Sequence, residues 1–283
     1  MGVLVISEEL GSSGDEVGRA VAGRSGYCYV SRGDIVQHAE RHFGQKAEDL
    51  NQVLEGKIGY WEAFNESRRW YLTFIESAIL EIVEPDRVVM DSRTAVHVLI
   101  SAPHVLKARI VAPAHVRCEH LRKTEQIAPD AAMQRIMDSD RERAARIQLL
   151  YREDWANPRL YDLVLNRERF GIDQCAEMLA NLLKAPAFEP SNEARQTLKA
   201  QSLARRIDAE LLADPRTRRL SVHGRVLPGG GVEISGVVGT HRGRRDAESI
   251  VAAIPGIGSI SNHVDVKEAS SFGVAVPGLG VRP

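Results

Sequence analysis

Short apolar runs alternate with helical patterns through the first two thirds of the chain. Each run has three to five residues bounded by polar positions, which is typical of buried parallel strands. The runs are Val3–Ile6, Val88–Met90, Ala108–Ala112 and Leu163–Leu165. Apolar positions near 3.6-residue spacing predict helices at 61–83, 130–150 and 172–183. The alternation predicts an α/β fold, a parallel sheet with helices on both faces.

The last third of the chain has a different order of elements. A helical pattern at 193–213 precedes two strand-like runs, Leu220–Leu227 and Val232–Val238, around the turn Pro228-Gly-Gly-Gly231. So tight a glycine-rich turn predicts a hairpin. A helix at 242–253 and a strand at 259–266 follow. The order αββαβ predicts a small α+β module.

Two prolines, Pro186 and Pro190, interrupt the helical pattern between these parts. Proline restricts the preceding residue to extended backbone, so a helix ends here and a stiff connector begins. We therefore predict a first domain at 1–186, a linker at 187–192, a second domain at 193–268 and a flexible tail at 269–283.

Charge and composition narrow the functional classes. The 283 residues carry 37 Lys+Arg and 38 Asp+Glu, yet the span 195–245 holds eleven basic and four acidic residues, a balance of +7. That span has no Phe, Trp or Tyr on which bases could stack, so we expect no nucleic-acid partner. The positive charge of this span suits binding to an anionic phospholipid surface. The alternative is that the span forms a basic face that docks on the acidic first domain. Three dispersed cysteines, no leader and no apolar run of about 18 residues indicate a cytoplasmic protein, at most peripheral to the inner membrane.

A glycine-rich loop follows the first apolar run. Gly11, Ser12, Ser13 and Gly14 lie between strand and helix, where loop amides and the helix dipole attract phosphate. A Walker motif adds Lys and Ser/Thr, but here Asp15 and Glu16 open the helix. These acids also have a plain structural role, because acids in a first turn stabilise a helix by about 0.3–1 kcal/mol.

Several segments, in order, resemble the cytidylate kinase-like family, diverged relatives of the P-loop nucleoside monophosphate kinases. The segments are Ile6–Ala22 with Gly26-Tyr27, Met90-Asp-Ser-Arg93, Ala108–Arg117, Asp140–Ala144, Asp154-Trp155 and Leu160–Asn166. The resemblance implies a P-loop kinase-type parallel sheet with helices on both faces. It also implies ATP and Mg²⁺ as cofactors and CMP or a similar monophosphate as phosphate acceptor. Nucleotide-binding residues implied by it are Gly11, Ser12, Ser13, Gly14 and Asp91; catalytic residues are Arg93, Asp140 and Arg143.

The chain departs from the family at the loop cation. The Lys or Arg of active relatives corresponds to Gly14 or Asp15, and the Mg²⁺-binding hydroxyl corresponds to Glu16. Five arginines can compensate for the missing loop cation if they converge on the site: Arg93, Arg141, Arg143, Arg146 and Arg152. The alternative is that the arginine-rich helix is a solvated face, which is the more common case. Three interpretations stay open: an active kinase, an inactive pseudokinase that senses nucleotide or acts as a scaffold, and a structural support without nucleotide affinity.

The last third resembles a BON domain. The segments Gly231–Gly236, Pro255–Ile260 and Asn262–Val266 are similar to its recurrent strands and turn. The resemblance implies a noncatalytic module that binds phospholipid surfaces or partner proteins.

His38 and His42 are spaced as two ligands on one helix face. No third ligand follows at usable spacing, so we predict surface histidines and no metal site.

Overall fold

The structure, a computed structural model, describes residues 2–55 and 66–267. The chain divides into two compact units, Met1–Ala209 and Glu210–Pro283. The linker at 187–192 stays a prediction. A helix from Asn192 to Ala213 crosses the division between the two units. The predicted tail, 269–283, lies outside the described residues.

The first unit is built on a parallel sheet of five strands in the order β2-β3-β1-β4-β5. The strands are β1 Val3–Glu8, β2 Cys28–Val30, β3 Val88–Asp91, β4 Val105–Val111 and β5 Leu163–Asn166. The four predicted strands are confirmed: β1, β3 and β5 extend one or two residues beyond the predicted ends, and β4 begins three residues and ends one residue earlier than predicted. Sequence analysis missed β2, an edge strand of three residues whose first residue is exposed.

Nine helices of the described part belong wholly or largely to this unit. They are α1 Gly14–Ser25, α2 Arg32–Phe43, α3 Ala47–Glu55, α4 Glu66–Val83, α5 Arg93–Val98, α6 Ala114–Glu125, α7 Pro129–Tyr151, α8 Ile172–Leu182 and α9 Asn192–Ala213. The predicted helix 61–83 is α4, and its first five positions lie outside the described residues.

The core explains why the central strands are continuously apolar. All six residues of β1 are buried, and so are the four of β3. One apolar cluster joins Leu4 and Ile6 of β1 to Val17 and Val21 of α1 and to Leu179 of α8. A sheet covered in this way buries both faces of its strands, which removes the polar alternation of a half-exposed strand.

The second unit has three strands in the order β6-β7-β8. Its elements are β6 Ser221–Val226, β7 Val232–Val238, α10 His241–Ala252 and β8 Ile260–Val266. The predicted hairpin is confirmed, since β6 and β7 pair antiparallel. The last strand pairs parallel to β7, and α10 makes the crossover. No helix within the described residues is long and apolar enough to cross a membrane.

Candidate functional site

The glycine-rich loop lies between the carboxyl end of β1 and the first turn of α1, as the sequence predicts. Gly11 and Ser13 both have left-handed backbone, with φ of 81° and 58°. The Ser12 hydroxyl donates to the carbonyl of Ile110 at 3.1 Å. The Ser13 hydroxyl lies 3.1 Å from Nδ1 of His120. Both loop hydroxyls therefore already have protein partners that fix the shape of the loop.

The side chain of Glu8 lies against the start of α1. Its Oε2 accepts a hydrogen bond from the Asp15 amide at 3.2 Å, and its Oε1 is 3.2 Å from Nη2 of Arg32. Glu8 is only 6% exposed. Burial raises the pKa of this carboxyl, and the nearby Asp91 carboxylate raises it further. A carboxylate of the chain thus binds a helix-terminal amide that in a phosphate loop is available to an anion.

The two loop glycines are both required by packing. A Cβ on Gly11 would lie 2.7 Å from the carbonyl oxygen of Arg117. A Cβ on Gly14 would lie 2.5 Å from Cβ of Glu8. In the structure these glycines permit close approach of protein atoms.

Charged side chains converge where β1 and β3 end. Arg32 lies 3.3 Å from Asp91, and Arg143 donates from Nη1 to the Glu8 carbonyl at 2.9 Å. Burial lowers the pKa of Arg143 to about 10. Burial also lowers the pKa of Arg93, and the neighbouring guanidinium groups of Arg143 and Arg32 lower it further. The structure thus brings the predicted residues Asp91, Arg93 and Arg143 together with Arg32.

Two polar atoms of this cluster are buried without a hydrogen-bond partner among the described residues. They are Nη1 of Arg93 and Oδ1 of Asp91. Buried polar groups are nearly always paired, so such atoms indicate a missing ligand or water. An unpaired guanidinium nitrogen suits an anion, and an unpaired carboxylate oxygen suits a cation or a hydroxyl donor.

Asp140 lies in a different set of contacts. Both of its carboxylate oxygens accept from Arg117 at 2.8 Å. Arg117 is buried and also donates from Nε to the carbonyl of Leu10 at 2.8 Å, and its Nη1 lies 3.4 Å from Glu9. Asp140 therefore positions an arginine that holds the loop. The sequence predicts no role for Arg117. Its place at the end of the family-like segment 108–117 was the signal that could have identified it.

Three arginines of α7 that the sequence singles out differ in their exposure. Arg143 and Arg146 are buried, and Arg146 lies close enough to Arg93 to lower its pKa. Arg141 is 76% exposed and pairs with Asp138 on the same helix. The interpretation of α7 as a solvated face is thus right for Arg141 and wrong for Arg143 and Arg146.

A cavity of about 630 Å³ opens beside the loop. Its acidic lining residues are Glu8, Asp15, Glu16, Asp91 and Glu125, and its basic ones are Arg19, Arg32 and His120. Its size suits a small molecule such as a nucleotide. The excess of acids repels a free triphosphate, whereas a divalent cation would be attracted.

The cluster and the loop differ in how they fit the groups that the family implies. A phosphate monoester fits the unpaired Arg93 nitrogen, and Mg²⁺ fits the unpaired Asp91 oxygen. ATP phosphates do not fit the loop as it stands, because Glu8 already accepts the Asp15 amide and no Lys or Arg occupies positions 9–16.

Comparison with known proteins follows the division of the chain. A family model for the cytidylate kinase-like family matches residues 3–169, and a model for the BON domain matches 199–268. A cytidylate kinase from Methanopyrus kandleri is 25% identical over 185 residues, which is 62% of this chain and 90% of that protein. A cytidylate kinase from Methanosarcina barkeri is 28% identical over 151 residues, 53% of this chain and 78% of that protein.

Solved structures support the fold of the first unit. An uncharacterized protein from Eubacterium ventriosum matches with a TM-score of 0.50 at 15% identity, over 65% of this chain and 99% of its own. At that identity the likeness concerns the fold alone. Because the family model spans well over half of the 283 residues, this chain belongs to the cytidylate kinase-like family and carries a BON domain after it.

Proposed function

We propose that the first unit binds a nucleoside monophosphate, CMP or a related one, as an ATP- and Mg²⁺-dependent nucleoside monophosphate kinase. In the described state its loop is closed by its own Glu8. The observation that carries the proposal is the buried, unpaired Nη1 of Arg93 beside the unpaired Oδ1 of Asp91. Both lie at the carboxyl end of β3, where parallel α/β sheets bind ligands.

Arg93 and Arg143 are the residues that would hold the acceptor phosphate. Clustering three guanidinium groups, those of Arg93, Arg143 and Arg32, is costly unless an anion lies among them, and Glu8 and Asp91 supply part of that charge. Arg143 is fixed in place by the Glu8 carbonyl. Phosphoryl transfer depends on cations placed around the transferred group, so this cluster supplies what the loop lacks.

Asp91, with its unpaired Oδ1, is the carboxylate that would hold Mg²⁺. The ion, when bound, neutralises phosphate charge. Oxygen ligands of this kind suit Mg²⁺, which keeps most of its waters and takes one or two carboxylates. Asp140 acts at a distance, by orienting Arg117 against the loop.

The second candidate is a catalytically inactive nucleotide sensor or scaffold. The hydrogen bond between Glu8 and the Asp15 amide favours it, because this bond withdraws a phosphate-binding amide. A sensor of this kind would bind monophosphate at Arg93 and bind ATP poorly. A purely structural first unit would bind neither.

The second unit is proposed as the binding module, for an anionic phospholipid surface or a partner protein. Its described residues 210–267 hold eight Lys/Arg and six Asp/Glu, a balance of only +2. Several arginines are paired internally, as in Arg216–Asp214 and Arg225–Glu233. The balance of +7 over the span 195–245 thus overstates the positive charge that the second unit offers to a lipid surface. Lipid binding should therefore be weak and salt-sensitive. A cytoplasmic, membrane-peripheral location belongs to this proposal.

Calorimetric titration with CMP and with ATP, each with and without Mg²⁺, tests these functions. Binding of both supports the kinase and is followed by a coupled assay of phosphoryl transfer. Binding of CMP alone supports the sensor. No binding of either near millimolar concentration contradicts both proposals.

A further inference from the structure

Helix α2 and helix α4 bring three metal-ligating side chains together. His38 and His42 lie one turn apart on α2 and so share a face. Glu81 comes from α4, and its Oε2 lies 3.2 Å from Nε2 of His38 and 3.5 Å from Nδ1 of His42. All three ligand atoms lie within 4.8 Å of one another. The sequence offered no third ligand beside the two histidines, because Glu81 is distant along the chain.

We propose that His38, His42 and Glu81 form a binding site for a divalent transition metal, with Zn²⁺ as the ion it takes. In tetrahedral zinc sites the bonds of about 2.0–2.2 Å place ligand atoms about 3.3–3.6 Å apart. The two separations from Glu81 are close to this spacing, and the two histidine nitrogens lie within 4.8 Å of each other. Two imidazoles and one carboxylate are borderline ligands that suit zinc better than Mg²⁺ or Ca²⁺.

The surroundings of the cluster leave room for a fourth ligand. The side chains of His38 and His42 are 29% and 35% exposed, so water can complete the coordination. Ser77 donates to the other carboxylate oxygen of Glu81 at 3.0 Å, which orients Oε2 toward the histidines. Such an outer partner fixes a ligand and raises metal affinity.

One neighbour opposes the ion. Nη2 of Arg206 lies 3.4 Å from Nε2 of His42, on the far side of that ring from Nδ1. Coordination through Nδ1 places the ring proton on Nε2, so Arg206 must turn away when metal binds. Metal binding also requires both imidazoles to be neutral, so acid weakens the binding by protonating the ligands.

The site would stabilise the contact between α2 and α4, since it ties the last two turns of α2 to the last turn of α4. It lies in the first unit but shares no residue with the cavity beside the phosphate loop. The inference does not depend on nucleotide binding, and its failure would leave the proposed function untouched.

Titration of the tag-free full chain with Zn²⁺, in competition with a chromophoric chelator, tests the proposal. We expect one ion per chain. His38→Gln and Glu81→Gln should each weaken binding by at least about a hundredfold, because loss of an outer partner alone costs 10–100-fold. His115→Gln is the matched control, since His115 is 73% exposed and outside the cluster. Cys28→Ser should also leave affinity unchanged, which excludes the exposed thiol as the ligand.

Two further measurements protect the test against misfolded variants. Arg206→Gln should tighten Zn²⁺ binding, and a gain of affinity cannot come from loss of structure. Co²⁺ bound in place of Zn²⁺ should give the intense visible bands of a tetrahedral site, without thiolate charge-transfer bands. Absence of Zn²⁺ binding, or equal binding by wild type and His38→Gln, would overturn the proposal.

Discussion

Oε2 of Glu8 accepts a hydrogen bond from the Asp15 amide at 3.2 Å, across the loop that joins β1 to α1. The carboxylate thereby lies at the positive end of α1, where a phosphate would otherwise gain from the helix dipole. A nucleotide phosphate and Glu8 therefore compete for one place. This competition is the basis of the first two predictions.

Glu8→Gln should increase affinity for ATP·Mg²⁺ by about tenfold, which corresponds to about 1.4 kcal/mol, because it removes a buried negative charge that a phosphate must approach. Calorimetry measures the change. Glu16→Gln is the control, since Glu16 lines the same cavity but is 43% exposed and is not bonded to the Asp15 amide. Equal gains in both variants would mean that only the overall charge of the cavity matters.

The same competition gives a pH dependence. Burial and the nearby Asp91 raise the pKa of Glu8, so part of this carboxyl becomes neutral at a pH where an exposed glutamate stays charged. ATP affinity of the wild type should rise as pH falls through that raised pKa, and Glu8→Gln should remove the rise. An unchanged pH profile in Glu8→Gln would assign the effect to another group.

Restoring a cation to the loop should work at position 15 and fail at position 14. A Cβ at Gly14 would lie 2.5 Å from Cβ of Glu8, so Gly14→Ala already costs about 1–3 kcal/mol of overpacking. Gly14→Lys should unfold part of the first unit, whereas Glu8→Gly combined with Gly14→Lys should fold, because glycine at position 8 removes the Cβ that clashes. Asp15→Lys should fold alone and bind ATP more tightly than wild type. Thermal unfolding and calorimetry together measure these differences, and a stable Gly14→Lys would contradict the packing argument.

Arg93 should trade stability for binding. Its burial and its like-charged neighbours lower its pKa, so Arg93→Met should raise the free energy of unfolding by about 1 kcal/mol or more. The same change should abolish CMP binding. Arg141→Met is the control, because Arg141 lies outside the cluster and forms an exposed ion pair with Asp138. Such a pair contributes less than about 1 kcal/mol to the free energy of unfolding. A destabilised Arg93→Met that still binds CMP would contradict both roles.

The sequence predicts strands well where burial on both faces makes them continuously apolar, as in β1 and β3. It missed β2, whose three residues carry too little pattern to separate from a loop. Asp91 and Arg93 lie together because both follow the carboxyl end of β3, whereas Arg143 reaches the same place from α7. The role of Glu8 could not be predicted from the sequence, because nothing in the pattern indicates that a glutamate at a strand end contacts the next helix. The role of Glu81 could not be predicted either, because only the packing of α4 on α2 brings Glu81 to the histidines.

His97 should make the first unit acid-sensitive. Burial lowers its pKa to about 4, and its ring stacks on Tyr151 with centroids 4.5 Å apart. The unfolded chain binds this proton near pH 6.5 and the folded chain only near pH 4, so stability falls as pH drops through that window. The loss attributable to His97 is on the order of 3 kcal/mol. His97→Phe keeps the stack and should flatten unfolding free energy against pH, whereas His115→Asn should leave the slope unchanged.

Gly236 is the residue on which the second unit depends most sharply. Its backbone has φ of 145°, and a Cβ there would lie 1.9 Å from the carbonyl oxygen of Ser221 on the paired strand β6. Gly236→Ala should therefore destabilise the second unit by about 2–4 kcal/mol, through strained backbone and separation of β6 from β7. Gly239→Ala is the matched control, because nothing lies within 4 Å of a Cβ at that position.

Hydrogen exchange resolved along the chain measures this effect. Amides of β6, β7 and β8 should lose protection in Gly236→Ala, while those of β1 and β3 and the affinity for CMP stay unchanged. Binding to vesicles of phosphatidylglycerol and phosphatidylcholine should fall in parallel if the second unit is the binding module. Vesicle binding that survives the loss of protection would place the lipid-binding surface elsewhere in the chain.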